Sequence, residues 1–421
     1  MTALVVLMNK NAAAVAADRA GTITDERGDH RVREGFRKLF ELVPGKPISI
    51  MIYNSAEIMG NSWDPIIVRY AREAKDKNLP TVADYAEDFF RWLEKSRDLF
   101  PPEAQRRHFA DHVKLYYAVV RMECEEILRE AQISGTGPRT AAEALTIAAG
   151  RLFDELTLDM DDNPLPLLPG FDDGFGKNLA DAYRDDITAL IGAFFSDIAP
   201  DRGTVEKLRQ IAPLSVVSGF FPIGLDMTGI VITGYGAKQF YPQTVAFEVQ
   251  GVFLDRARRR LTVDHTVSSD LPVVVQPFAQ DRMLRTLLFG LDPELPEYLL
   301  GELSALIEGT RDNLVQSVPE LSVEAKRAVS EFLSEDYIQD MWEVFLSRLA
   351  QHVYRQYANP IFRSVSSLPE AALADAAENM VRITAFQQDV SGALPTVGGG
   401  IDVALVTSER FQWVKRAEIK G

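Results

Sequence analysis

The residue with the most chemistry at hand is Thr2, which directly follows Met1. A small residue in second place permits removal of the initiator methionine, which would leave Thr2 with a hydroxyl nucleophile and a free α-amine together. An α-amine titrates at about 7.7 to 8.0, close to working pH, whereas a lysine titrates at about 10.4, so the amine can accept the hydroxyl proton. Nucleophile and base would then reside in one residue.

Other polar groups offer less. His108 and His112 stand at i and i+4, the spacing of a metal-binding pair, but His-Phe-Ala-Asp-His lacks the glutamate of HExxH and no third ligand is evident. The acidic run Asp159 to Asn163 begins like a calcium loop, then places Pro164 where an EF-hand needs Gly and Gly170 where it needs Glu, so a solvated loop is expected. Arg256-Ala257-Arg258-Arg259-Arg260 is a basic cluster expected at a hairpin tip, as a solvated turn or, second, a contact with an acidic neighbouring subunit. Cys124 is the single cysteine, which excludes an intrachain disulfide, a CxxC pair and a Cys-rich zinc site. Walker, GxSxG and strand-linked GxGxxG patterns are absent, so nothing indicates built-in nucleotide use, and no cofactor and no metal are expected.

These residues need a scaffold. Thr2 to Met8 and Ala12 to Ala17 are apolar runs broken by Asn9-Lys10-Asn11, which predicts a buried hairpin. A polar stretch rich in turn formers runs from Thr22 to Arg33, and then Leu39 to Val43 and Ile48 to Tyr53 flank Pro44-Gly45-Lys46 as a second hairpin. From Ser55 to about Gln210 the period becomes helical: Tyr85, Phe89, Trp92, Leu93, Ser96 and Phe100 share a face, as do Val113, Tyr116, Tyr117, Val120, Cys124, Ile127 and Leu128. Tyr183, Ile187, Leu190, Ile191 and Phe194 repeat the pattern, and core packing explains all three stripes. Strands are expected again at Gly229 to Gly234, Thr244 to Leu254, Leu261 to Val267 and Pro272 to Val275, then helices from about Gln280 to Phe386. Two last strands, Ile401 to Thr407 and Phe411 to Lys415, close the pattern.

The start of the chain resembles the proteasome β subunits and the bacterial HslV-type peptidase. In that family a terminal Thr opens a strand, a second apolar strand ends in Asp, and a Thr sits four residues on. Asp18 lies sixteen residues after Thr2, at the family spacing, and Thr22 completes Asp-x-x-x-Thr. A Lys then opens a further strand; Lys38-Leu39-Phe40-Glu41-Leu42 fits that frame, with Arg31-Val32 as the second choice. The resemblance implies that Thr2 attacks a peptide carbonyl, that Lys38 supplies positive charge favouring the alkoxide, and that Asp18 keeps Lys38 charged and oriented. It also implies an oxyanion donor near Asn54 and substrate main-chain contact by Thr22. The family usually has Gly at the oxyanion turn, and Asn is among the commonest non-Gly residues at positive φ.

Two departures stand out. The family's Gly-Ser-Gly turn is replaced by Gln276-Pro277-Phe278-Ala279-Gln280, and the Asp and Ser that usually precede the late Gly-Gly turn are missing before Gly398-Gly399-Gly400. What the resemblance implies for the fold is an α+β protein, a four-layer αββα Ntn-hydrolase sandwich with two helical insertions. Its core would comprise 1–78, 213–292 and the final helix and strands of 366–421, interrupted by insertions at 79–212 and 293–365.

With 421 residues, 46% of them apolar, and a formal charge of −16, the composition is that of a soluble globular protein. The acidic balance argues against nucleic acid or an anionic membrane as partner. Met1 to Met8 lacks a basic flank and is too short to span a bilayer, and no other run reaches about 18 apolar residues. The expectation is a cytoplasmic threonine peptidase acting on peptides or unfolded protein, assembled as a homo-oligomeric ring or dimer, with a separate ATPase or regulator as a possible partner. The alternatives are a small-molecule amidase or acyltransferase of the same fold, and a non-catalytic assembly subunit whose insertions bind a partner.

Overall fold

The apolar hairpin at the start of the sequence sits at the centre of the first sheet. The computed structural model describes residues 2–24, 30–33, 35–221, 227–317, 322, 324–327, 335–390 and 398–417. Its first elements are β1 (Ala3–Asn9), β2 (Ala12–Asp18), β3 (Gly21–Thr24), β4 (His30–Arg33), β5 (Leu39–Glu41), β6 (Ile48–Asn54), β7 (Glu57–Ile58) and β8 (Asn61–Ser62). Helices α1 (Trp63–Glu73), α2 (Val82–Lys95), α3 (Pro102–Ser134), α4 (Ala141–Thr157), α5 (Asp173–Ala182), α6 (Arg184–Phe195) and α7 (Arg202–Val217) follow. Strands β9 (Thr228–Gly234), β10 (Gln243–Phe253), β11 (Arg256–Thr266) and β12 (Val273–Ala279) lead to α8 (Arg282–Phe289), α9 (Leu295–Ser317) and α10 (Glu335–Val353). A π-helical turn at Tyr354–Ala358, α11 (Asn359–Ser366), α12 (Glu370–Val390), β13 (Ile401–Thr407) and β14 (Phe411–Lys415) complete the order. The protein is α+β, and its registered strand pairs are antiparallel.

The chain divides into two compact units, one made of residues 1–39, 240–242 and 266–421, the other of 40–239 and 243–265. In the first, the sheet runs β12-β1-β2-β13-β14. Every residue of β1 and β2 is buried. Ala12, Ala14 and Ala16 of β2 and Val5 and Leu7 of β1 pack with Leu373, Ala374, Ala377 and Val381 of α12. Alanines on both sides let helix and sheet approach closely, which is why so alanine-rich a strand suits the sheet's centre. Pro277 lies in β12, opposite Val5, and β12 is an edge strand, where a residue without an N–H leaves no ladder bond unmade. Asn9 closes the β1–β2 turn: its side-chain oxygen accepts from the amides of Asn11 (2.9 Å) and Ala12 (3.1 Å), while its Nδ2 donates to the carbonyls of Val365 and Leu368.

The polar stretch from Thr22 to Arg33 holds two strands that its turn formers conceal: β3 and β4 pair antiparallel, Gly21 opposite Arg33.

The second unit has a sheet ordered β11-β10-β9-β6-β5. Its helices α1 and α2 bury Trp63, Tyr70, Phe89 and Phe90 with Ile230, Ile232, Val245 and Phe247 of the sheet. The aromatic stripe expected on α2 is present, with Tyr85, Phe89, Leu93, Ser96 and Phe100 buried and Trp92 half-buried. Thr81 and Asp84 cap α2 reciprocally, each side chain accepting from the other's backbone amide at 3.0 Å. Helices α3 to α7 form a further cluster within this unit, in which Cys124 is a core residue beside Val120 and Ile127. The α5/α6 boundary falls at Tyr183, so the Tyr183 to Phe194 stripe belongs to α6 and its cap.

Candidate active site

Asp18 ends β2, and its carboxylate is the point on which several segments of the first unit converge. Oδ1 accepts from the amide of Ala3 at 2.9 Å and from Lys38 Nζ at 2.8 Å. Oδ2 accepts from the amides of Ala20 (3.2 Å) and Gly398 (3.3 Å). Lys38 Nζ also donates to the carbonyl of Ala20. Lys38 is 6% exposed and Asp18 fully buried. Burial pushes the Lys38 amine below its ordinary range, and the Asp18 carboxylate pulls against that shift. The result is a buried lysine–carboxylate pair with further hydrogen bonds on both partners, from Lys38 to the Ala20 carbonyl and to Asp18 from three backbone amides, which is what makes a buried ion pair tolerable.

Thr2 is buried at the start of β1, and its carbonyl accepts from the amide of Gln280 at 3.0 Å. Gln280 follows Ala279, whose φ of 62° is a left-handed conformation that a residue with a Cβ rarely adopts. That turn aims the Gln280 amide at Thr2. The side chain of Gln280 accepts from Gln388 Nε2 of α12 at 2.7 Å. No spacing rule identifies these residues.

Of the two basic candidates, Lys38 is the one bonded to Asp18; the side chains of Arg31 and Thr22 lie outside the described residues. Thr22 is a strand position of β3, opposite Val32, and Arg31 a position of β4, opposite Ile23. Met1 also lies outside the described residues. Asn54 belongs to the second unit, where it ends β6 with φ 64°, the positive value that reading it in place of a glycine requires.

His108 Nε2 is 3.0 Å from the carbonyl of Gln250 and His112 Nε2 3.1 Å from that of Ser215. Burial, aided by Arg258, holds the His112 imidazole well below its ordinary range, so it is a neutral core histidine. Among the described residues no group of three or more His, Cys, Asp and Glu is placed to hold a metal. Asp159 folds its own loop, accepting from the amides of Asp161 and Asn163 at 2.9 Å.

The basic cluster requires a correction. The turn is Leu254-Asp255, both at positive φ, and Arg256 to Arg260 form the first half of β11 rather than a solvated tip. Arg258 is completely buried. It donates from Nε to the carbonyl of Val216 at 2.9 Å, from Nη2 to those of Ser218 (3.0 Å) and Phe220 (2.8 Å), and from Nη1 to Gln250 Oε1. Its guanidinium lies 4.0 Å from the centre of the Phe221 ring. The carbonyls left over where α7 ends are what draw it in. Arg259 pairs with Glu87 and Arg260 with Glu248.

No protein-family model and no curated protein matches the chain. Among the described residues, no helix is long and apolar enough to cross a membrane.

Proposed function

We propose that this chain is an N-terminal-nucleophile threonine hydrolase of proteasome-like αββα fold, which cleaves peptide bonds once Met1 has been removed and works as a homo-oligomer. The observation that carries the reading is the double use of Asp18 Oδ1, which accepts both Lys38 Nζ (2.8 Å) and the amide of Ala3, the residue bonded to Thr2 (2.9 Å). A buried cation is thereby fixed within one residue of the threonine.

In this reading the Thr2 α-amine takes the proton from Oγ as Oγ bonds to the substrate carbonyl carbon. The carbonyl oxygen becomes an oxyanion, for which the resemblance implies a backbone N–H near Asn54. The amine then returns its proton to the departing nitrogen as the C–N bond breaks, leaving an ester on Thr2. Water, deprotonated by the same amine, hydrolyses that ester and restores Thr2. Lys38 contributes its charge to the developing alkoxide, and Asp18 with the Ala20 carbonyl keeps the ammonium in place. Thr22 would bind the substrate main chain.

Intact mass and peptide hydrolysis test the reading together. A purified protein lacking Met1, cleaving unstructured peptides and inactive as Thr2→Ala, is the expected result. Full retention of Met1 or undiminished cleavage by Thr2→Ala would overturn it. A second reading, a non-catalytic assembly subunit, draws support from Gln280 standing where the family places its serine-bearing turn. Failure of a threonine-directed covalent inhibitor to label Thr2 would favour it.

A further inference from the structure

Next to Asp18 stands a second buried ion pair that the proposed chemistry leaves unused. Arg19 Nε donates to Asp402 Oδ2 at 2.8 Å, with Arg19 3% and Asp402 1% exposed. Asp402 Oδ1 in turn accepts from the amide of Ala417 at 2.9 Å. Among the described residues, Arg19 Nη1 is buried without a partner. A pair so placed is a poor route to stability, because desolvating two charges offsets most of their attraction and apolar residues of like volume often do as well. An unpartnered guanidinium nitrogen adds to the cost.

What the pair accomplishes is seen in the backbone of Arg19. Its amide donates to the carbonyl of Gly400 at 3.0 Å, and its carbonyl accepts from the amides of Gly35 (3.1 Å) and Phe36 (3.2 Å). The first bond tethers the 398–400 turn, which supplies the Gly398 amide to Asp18. The other two tether the segment that delivers Lys38. At Gly400 a Cβ would stand 2.2 Å from that of Ala417, so the turn closes against the same residue whose amide Asp402 caps. Asp18 precedes Arg19 directly. Each segment that brings a partner to Asp18 from beyond β1 and β2 is thus bonded to Arg19.

We infer that Arg19, held by Asp402, is a positioning residue that sets the separation and alignment of the Lys38–Asp18 pair. Its effect on catalysis rests on the threonine-hydrolase reading; its effect on Lys38 does not.

The test uses the full-length protein and the variants Arg19→Met, Asp402→Asn and Arg19→Lys. Acylation of Lys38 by acetic anhydride is followed by peptide mass spectrometry, with the thiol reactivity of buried Cys124, in the other unit, as a monitor of general unfolding. In Arg19→Met and Asp402→Asn, Lys38 should react about tenfold faster through local opening while Cys124 keeps its rate, and Arg19→Lys should return Lys38 to within about twofold of the parent. In the same variants, kcat per inhibitor-titrated Thr2 should fall about a hundredfold with KM nearly unchanged, the signature of a small misplacement. Unchanged Lys38 reactivity in both Arg19→Met and Asp402→Asn overturns the inference, as does parallel acceleration of Lys38 and Cys124, which marks a purely structural pair. Should the parent neither label at Thr2 nor cleave any peptide, the hydrolase reading fails while the Lys38 arm still decides this one. If Arg19→Met does not fold, Asp402→Asn carries both arms.

Discussion

Two of the buried cations among the described residues, Lys38 and Arg258, are accommodated in opposite ways. Lys38 meets a carboxylate, Asp18, and one backbone carbonyl. Arg258 meets the carbonyls of Val216, Ser218 and Phe220, a glutamine oxygen and an aromatic ring, and no carboxylate. Neutral acceptors suit a guanidinium, which stays charged and presents a fork of donors that several carbonyls can share. Burial draws its pKa only to about 10, so it is charged at any working pH. The Lys38 amine is also pushed down by burial, but a partner with formal charge opposes the shift. The Arg258 arrangement fixes where α7 ends. The Lys38 arrangement joins a titratable cation, through Asp18 Oδ1, to the amide of the residue that follows Thr2, and that difference is why the proposed chemistry falls to one and architecture to the other.

The largest effect should separate them at once. Lys38→Met should lower the rate of peptide hydrolysis about a hundredfold or more, since it removes a charge aimed at the reacting centre. Steady-state kinetics per titrated Thr2 measures this, and a rate within about threefold of the parent would erase the contrast. Arg258→Met should do the reverse, lowering unfolding free energy by about 3 kcal/mol as its carbonyl partners lose their donor, with kcat per folded molecule unchanged. Denaturant unfolding supplies the first quantity, and an Arg258→Met protein as stable as its parent would show that the buried guanidinium is dispensable.

A smaller effect concerns pH. The folded pKa of His112 is depressed well below the ordinary 6.5, so on acidification the unfolded chain takes up a proton that the folded one refuses. Stability from this group is complete above about pH 6.5 and declines as pH falls through the window beneath it. The melting temperature should drop across that window, and His112→Gln should flatten the slope; an equally steep slope in the variant would place the titration elsewhere. The smallest change is Asn54→Gly. At φ 64° glycine relieves strain in the folded state yet loses more freedom on folding, so stability should move by less than about 1 kcal/mol either way. Thermal melts resolve that, and a larger loss would mean that the Asn54 side chain has a partner of its own to hold.

Legibility followed locality. The hairpin of β1 and β2 could be read because its apolar runs and the intervening Asn-Lys-Asn lie within eighteen residues, and Asn9 closes that turn itself. The helical stripes of α2 and α3 were legible for the same reason: a face repeats within a few turns. Spacing from Thr2 points to Asp18, and the geometry joins Asp18 to Lys38 in a buried ion pair. What could not be read depends on partners far along the chain. Arg258 looked like surface because the carbonyls that bury it are forty residues earlier, at the end of a helix. Arg19 and Asp402 are 383 residues apart, and neither belongs to a motif. The β3–β4 pair is hidden because each strand carries a single large apolar residue, Ile23 or Val32, too few to mark an alternation.

The order in which the chain is made gives the first sheet a history. Its central strand β2 has β1 on one side and β13 on the other, and β13 pairs Ile401 with Asp18. The first hairpin is made before the strand that completes it, and every residue of the second unit is synthesised in between. Such long-range pairing is slow to form, and an apolar hairpin left waiting is exposed to association with other nascent chains. The delay also acts as a safeguard. Gly398 cannot reach Asp18 until the whole second unit has been made, so a product truncated before it carries Thr2, Asp18 and Lys38 without the Gly398 amide that Asp18 Oδ2 accepts.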